Sequence, residues 1–178
     1  MGDIRPLPPA MLIAAVITRY AEALRWTIER AATNWGPPAL QSPTFRFDET
    51  SYYVPTMGTE LGKTFLAFEP PFDAGTLADV KHRTNAWEAE YAAAAGHAES
   101  RPLNIDPGYI TTAKLVLAST KDHAHRIYLR DGMFAEITLM YRHGRWESHE
   151  FTFPDYRRAD YHEFFSQCRD RLRSRRNS

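Results

Sequence analysis

Cysteine is almost absent from this chain of 178 residues, where Cys168 stands alone. No disulfide can form within one molecule, so a packed core must hold the fold, and a reducing, cytoplasmic setting is the expectation. Long hydrophobic runs are absent too. The most apolar stretch, MLIAAVIT at residues 11–18, is far shorter than the ~20 residues that cross a bilayer. It lacks a small-residue cleavage site and leads into an amphipathic segment, so it reads as a buried strand, neither signal peptide nor membrane span. The opening MGDIRP has Pro where a myristoylation signal requires Ser or Thr. No internal repeat and no low-complexity tract is present. Net charge is lacking as well, with 22 Lys and Arg against 22 Asp and Glu.

The balance hides an asymmetry. Residues 1–100 hold 8 basic and 12 acidic side chains, and residues 101–178 hold 14 and 10. Much of the basic excess falls in RDRLRSRRNS at the end, where cations complement a helix dipole and also offer a surface to RNA or an anionic membrane. What the chain does have is apolar side chains: 43% of residues are hydrophobic, with 10 Phe, 9 Tyr and 4 Trp, enough for one core. The expected organisation is an N-terminal extension over 1–10, a single domain over 11–173 and a basic disordered tail over 174–178.

After the first strand, Tyr20, Leu24, Ile28, Ala31 and Trp35 recur at helical spacing, and Gly36-Pro37-Pro38 ends the run. PTFRFDE and KTFLAFE read as strands. Pro70-Pro71 breaks the chain, Asp73 caps a second helix with Leu77, Val80, Thr84, Trp87 and Tyr91 inward, and Gly96 stops it. RPLNID supplies a fourth strand, completing a βαββαβ pattern of the ferredoxin-like kind. DPGYITTAKLVLAST carries a helix start in Asp106-Pro107 and strand formers in Ile110, Thr111, Thr112 and Val116; helix is the expectation. HRIYL, MFAEITLMY and RWESHEF then form an antiparallel meander through Asp131-Gly132 and His143-Gly144. Asp160 and Glu163 open a last helix with Tyr161, Phe164, Phe165, Cys168 and Leu172 on one face. The fold class is therefore α+β: one domain, a mostly antiparallel sheet with a ferredoxin-like core and a C-terminal meander, covered on one side by two or three helices.

Residues 104–131 concentrate ionisable groups in an apolar frame. A helix through this segment would set Lys114 and Lys121 on one side, two turns apart, with Arg126 entering the next strand; such cations suit a phosphate or carboxylate. The competing reading is a structural charge network. A three-residue turn at Arg130-Asp131-Gly132 would put Arg126 opposite Glu136, whereas a two-residue turn would put it opposite Ile137. Tyr52 and Tyr53 offer rings for stacking, and Asp155 is expected to serve a turn. His123 and His125 form an H-x-H pair that, with Asp106, would suit a metal-dependent hydrolase, but two histidines are not a site and no metal is assigned. GTELGKT at 58–64 is one residue short of a phosphate-binding loop and lacks its strand and helix.

The strings FDETSYYVPTMG, FLAFE, VKHRTNAWE, NIDPGYITTAKLVLASTKDHAHRIYL, GMFAEITL and FTFPDYR resemble, in order and spacing, a bacterial family known as domain of unknown function 4416, from about residue 11 to about residue 172. The resemblance implies counterparts for Asn104, Asp106, Gly108, Lys114, Lys121, His125, Arg126, Glu136, Asp155 and Tyr156. It implies none for His123 or for Gly62-Lys63-Thr64, and no established activity or cofactor.

Two functions follow as expectations. The first is a cleft for an anionic small molecule, phosphate-bearing or nucleotide-like, with Lys121 and Arg126 on the anion, Lys114 and Glu136 in support, and Tyr52 and Tyr53 beside it. His125 or Asp106 would then move a proton if the site is catalytic, Asp106 through a pKa shifted toward neutrality by burial. The second is a non-catalytic module that binds RNA or a protein through the basic C-terminal half.

Overall fold

The computed structural model describes residue 3, residues 8–69 and residues 71–176. Residues 1, 2 and 4–7 of the expected extension, and Pro70 of the expected break, lie outside the described residues.

MLIAAVIT is strand β1 (Met11–Thr18), and every one of its residues is buried. A strand apolar on both faces needs cover on both, which dictates the layering. Helix α1 (Ala21–Trp35) ends at Gly36, whose φ is 82°. Strands β2 (Pro38–Gln41), β3 (Phe45–Arg46) and β4 (Gly62–Phe68) follow, with a one-turn helix α2 (Val54–Met57) between the last two. Asp73 caps a 3-10 turn through the Gly75 amide at 2.9 Å, ahead of helix α3 (Leu77–Ala95), and Gly96 ends α3 in the left-handed region. Strands β5 (Asn104–Ile110), β6 (Lys114–Ser119), β7 (Ile127–Arg130), β8 (Met133–Arg142) and β9 (Arg145–Glu147) lead to helix α4 (Ala159–Arg176).

All nine strands join one antiparallel sheet in the order β2-β4-β1-β5-β6-β8-β7, with β3 on β4 and β9 on β8. The long helices are divided between the faces and do not share one. α1 and α3 cover Leu12, Ala14, Val16 and Leu66 with Ala23, Val80, Trp87 and Tyr91. α4 covers Met11, Ile13, Phe65 and Leu139 with the stripe read from its spacing, Tyr161 to Leu172. The helix runs through Arg176, so residues 174–176 of the expected tail are helical, while residues 177–178 lie outside the described residues. Among the described residues no helix is long and apolar enough to cross a membrane.

The segment expected as a helix after Asp106-Pro107 is a hairpin instead. β5 and β6 pair only from Gly108–Leu117 to Ile110–Leu115, around a turn closed by Thr111. The β-branched residues outweigh the helix-start signal because they fill the strand next to β1. Gly108 is needed where the strands touch: a Cβ there would lie 2.2 Å from the Val116 carbonyl oxygen.

The meander combines both expected registers. Asp131-Gly132 is a two-residue turn, with Arg130 opposite Met133 and φ of 52° and 75°. A bulge at Leu129 then shifts β7 by one residue, so that Tyr128 faces Phe134 and Ile127 faces Ala135. Arg126 thus arrives opposite Glu136 after all.

Candidate functional site

Antiparallel partners share a face of the sheet, so the register decides what lines the site. Ala15 pairs with Phe65 and Asp106, Ile17 with Lys63 and Asn104, and Leu117 with Gly108 and Glu136. Lys63, Asn104, Asp106 and Glu136 therefore point to the face that carries α4, past the end of the area that α4 covers. There they floor a cavity of about 600 Å³. Phe47, Tyr52 and Tyr53 from the β3–β4 connection line it on one side, and Phe151, Phe153 and Tyr156 from the segment before α4 on another.

The sheet is open at this place. Below Gly108–Leu117, β5 pairs only with β1 and β6 only with β8, so residues 104–107 of β5 have a free edge. α3 fills it with side chains. Lys81 donates to the Ile105 carbonyl at 3.0 Å, and the Ile105 amide donates to Glu88 Oε1 at 2.8 Å. Two residues seven apart on one helix face thus stand in for a neighbouring strand.

Four buried or half-buried ion pairs cross the floor and walls. Lys63 Nζ is 2.5 Å from Asp155 Oδ2, both sealed from solvent, with the ammonium 4.2 Å from the Tyr156 ring centre and 4.9 Å from that of Phe47. Lys81 Nζ is 3.2 Å from Asp106 Oδ1, and Asn104 donates to Asp106 Oδ2 at 2.7 Å. Arg101 joins Glu88 at 2.9 Å and also donates to Asn104. Arg126 Nε is 2.7 Å from Glu136 Oε2, and its Nη1 donates to the Ser119 hydroxyl and the Lys121 carbonyl. Burial alone would raise the Asp106 pKa, but Lys81, Lys63 and the Asn104 hydrogen bond reverse the shift and hold it below its ordinary value. Burial wins for Glu88, which is held above its own. Asp106 is therefore a fixed carboxylate, not one moved toward neutrality.

A model of the family described as domain of unknown function (DUF4416) matches residues 8–172. The chain belongs to that family. No curated protein and no solved structure matches it.

In this DUF4416 chain the expected site residues converge with one exception. Asp106, Lys121, His125, Arg126, Glu136, Tyr52 and Tyr53 all line the cavity. Lys114 does not: it begins β6 opposite Met140, because the helix that would have aligned it with Lys121 is a hairpin. His125 stacks on Phe151 with ring centres 4.5 Å apart and places Nε2 3.2 Å from Glu136 Oε2. His123 lies beside it at 5.8 Å between centres, yet among the described residues no three His, Cys, Asp or Glu side chains gather to hold a metal. Asp155 reaches the cavity floor as the partner of Lys63.

Lys63, Lys81, Glu88 and Arg101 escaped the sequence reading. Lys63 belongs to the string that fails as a phosphate loop, yet its alternation with Phe65 and Ala67 places it on an inward face. Lys81 and Glu88 carried a similar signal, since Leu77, Lys81, Thr84, Glu88 and Tyr91 share one helical stripe.

Proposed function

We propose that this cleft binds a small molecule bearing one anionic group, phosphate or the phosphate of a nucleotide-like compound, and that Lys121 receives that group. Lys121 carries the reading. Every other Lys or Arg on the cavity wall has a carboxylate partner, whereas among the described residues no carboxylate lies within ion-pair distance of Lys121. Its Nζ instead donates to the Tyr52 hydroxyl at 2.8 Å and sits 4.0 Å from that ring's centre. A cation held at the rim over an exposed ring is poised for an anion, and the cavity volume suits a compact metabolite.

Arg126, expected to share the anion, supports the site instead, because Glu136 matches its charge and Glu136, Ser119 and the Lys121 carbonyl take three of its five N–H donors. If the protein is catalytic, His125 is the residue to move a proton, since both oxygens of Asp106 are committed to Lys81 and Asn104. The single buried cysteine fits a cytoplasmic setting. RNA binding through the basic half has less support, because Arg171 and Arg175 pair with Glu69 and Arg158 pairs with Glu49 and Asp160.

Thermal unfolding of the wild type and of Lys121→Ala against phosphate and carboxylate compounds tests the reading. A ligand of the folded state raises the melting temperature by linkage, in the wild type and not in the variant. A shift produced only by RNA, and abolished by moderate salt, sinks it.

A further inference from the structure

The cavity restricts the charge of its ligand as well as attracting one. Five carboxylates line it: Glu49, Glu88, Asp106, Glu136 and Asp155. Four are matched by cations on the same wall, and Glu49 is matched by Arg158 at 2.7 Å. Lys121 is the one lining Lys or Arg without a carboxylate partner among the described residues, and Arg158 divides its charge between Glu49 and Asp160. A polyphosphate would bring several negative charges against carboxylates whose partners are already spent, and like charges at close range in a partly desolvated site cost heavily.

The floor offers a second kind of recognition. Asp155 Oδ1 has no hydrogen-bond partner among the described residues, because Lys63 binds Oδ2 alone. The Tyr156 hydroxyl is buried with no partner, in a residue that is 2% exposed and whose neighbours include Lys63 and Asp155. A buried hydroxyl without a partner is unfavourable, and Tyr156 is one of the residues that line the cavity. One unpartnered carboxylate oxygen and one unpartnered phenol, on two adjacent lining residues of a cavity that also has aromatic walls, match the alternating donors and acceptors of hydroxyl groups stacked on aromatic faces.

Building on the anion site proposed above, we infer that the ligand is a polyhydroxylated compound with a single anionic group, a sugar or polyol monophosphate, with its phosphate on Lys121 and its hydroxyls against Asp155 and Tyr156. Nucleoside triphosphates are rejected by the five carboxylates. A hydroxy acid presents the same hydroxyls with a carboxylate in place of the phosphate, and the experiment separates the two.

Calorimetric titration of the full chain with glucose 6-phosphate, ribose 5-phosphate, gluconate, free glucose, inorganic phosphate, AMP and ATP provides the test, repeated on Lys121→Ala and Tyr156→Phe. The expected result is binding of a sugar phosphate at least tenfold tighter than of free glucose, inorganic phosphate or ATP. Lys121→Ala should lose the preference of sugar phosphate over free sugar. Tyr156→Phe removes only an unpartnered hydroxyl, so its melting temperature without ligand should match or exceed that of the wild type, while sugar phosphate binding falls about tenfold. Tighter binding of ATP, of AMP or of inorganic phosphate than of the sugar phosphates, still dependent on Lys121, overturns this inference and leaves the anion site standing. Gluconate binding above the sugar phosphates overturns the phosphate assignment. Failure of every anion to bind overturns both.

Discussion

Lys63 and Asp155 stand 92 residues apart in the chain and meet with Nζ 2.5 Å from Oδ2, each shielded from water. Their contact ties β4 to the segment that leads into α4. Aromatic rings surround the ammonium, and Asp155 is its carboxylate partner.

Removing one partner should therefore be worse than removing both. Asp155→Asn or Lys63→Met is expected to cost about 3–5 kcal/mol, while the double variant Lys63→Met/Asp155→Leu recovers much of that loss. Urea unfolding of the three proteins measures it. Single variants within about 0.5 kcal/mol of the wild type, the range of neutral surface changes, would show that the pair is not isolated from solvent.

Gly108 holds the only part of β5 and β6 that pairs. Gly108→Ala would drive a methyl group into the Val116 carbonyl and the Leu117 side chain, with an expected loss of about 1–3 kcal/mol or more. The same unfolding assay applies, and a variant as stable as the wild type would disprove the close approach.

Acid stability should depend on two carboxyls with opposite signs. Asp106 lies below its ordinary value of 3.8, so its stabilisation is complete above that value and is lost as pH falls through the lowered one. Glu88 lies above its ordinary 4.5, so it favours the fold most in acid and that benefit is lost as pH rises through the raised value. Asp106→Asn should flatten the fall in stability toward low pH, and Glu88→Gln should steepen it. Denaturation curves across about pH 3 to 7 decide this; parallel slopes in all three proteins would refute it.

Burial pushes the Cys168 thiol up to about 12. A thiol-specific reagent at neutral pH should label it only after unfolding, at one equivalent per chain. Rapid labelling of the native protein would place Cys168 outside the core.

Periodic features translated well from sequence to structure. The apolar stretch 11–18, the stripe from Tyr161 to Leu172 and the stops at Gly36 and Gly96 all obey local rules, and each is an element or an end as expected. The hairpin around Thr111 did not follow, because Asp106-Pro107 is a helix start in isolation and a strand only beside β1. The Leu129 bulge left no mark in composition, yet it decides that Arg126 meets Glu136 and not Ile137. Part of the cleft, from Asp106 to Glu136, was legible as a cluster of charges in an apolar segment. Its pairing was not, since Lys63, Lys81, Glu88 and Arg101 come from β4, α3 and the loop before β5, and only the sheet register brings them to Asp155 and Asp106.

The backbone of Ile105 is gripped at both its amide and its carbonyl by one face of α3. Helix and strand are thereby locked together, and any sliding of α3 would break two hydrogen bonds and carry Asp106 with it. Across the opposite rim the tie is far slighter: Lys121 and Tyr52, 69 residues apart in the chain, meet there through a hydrogen bond between the side chains of two loops.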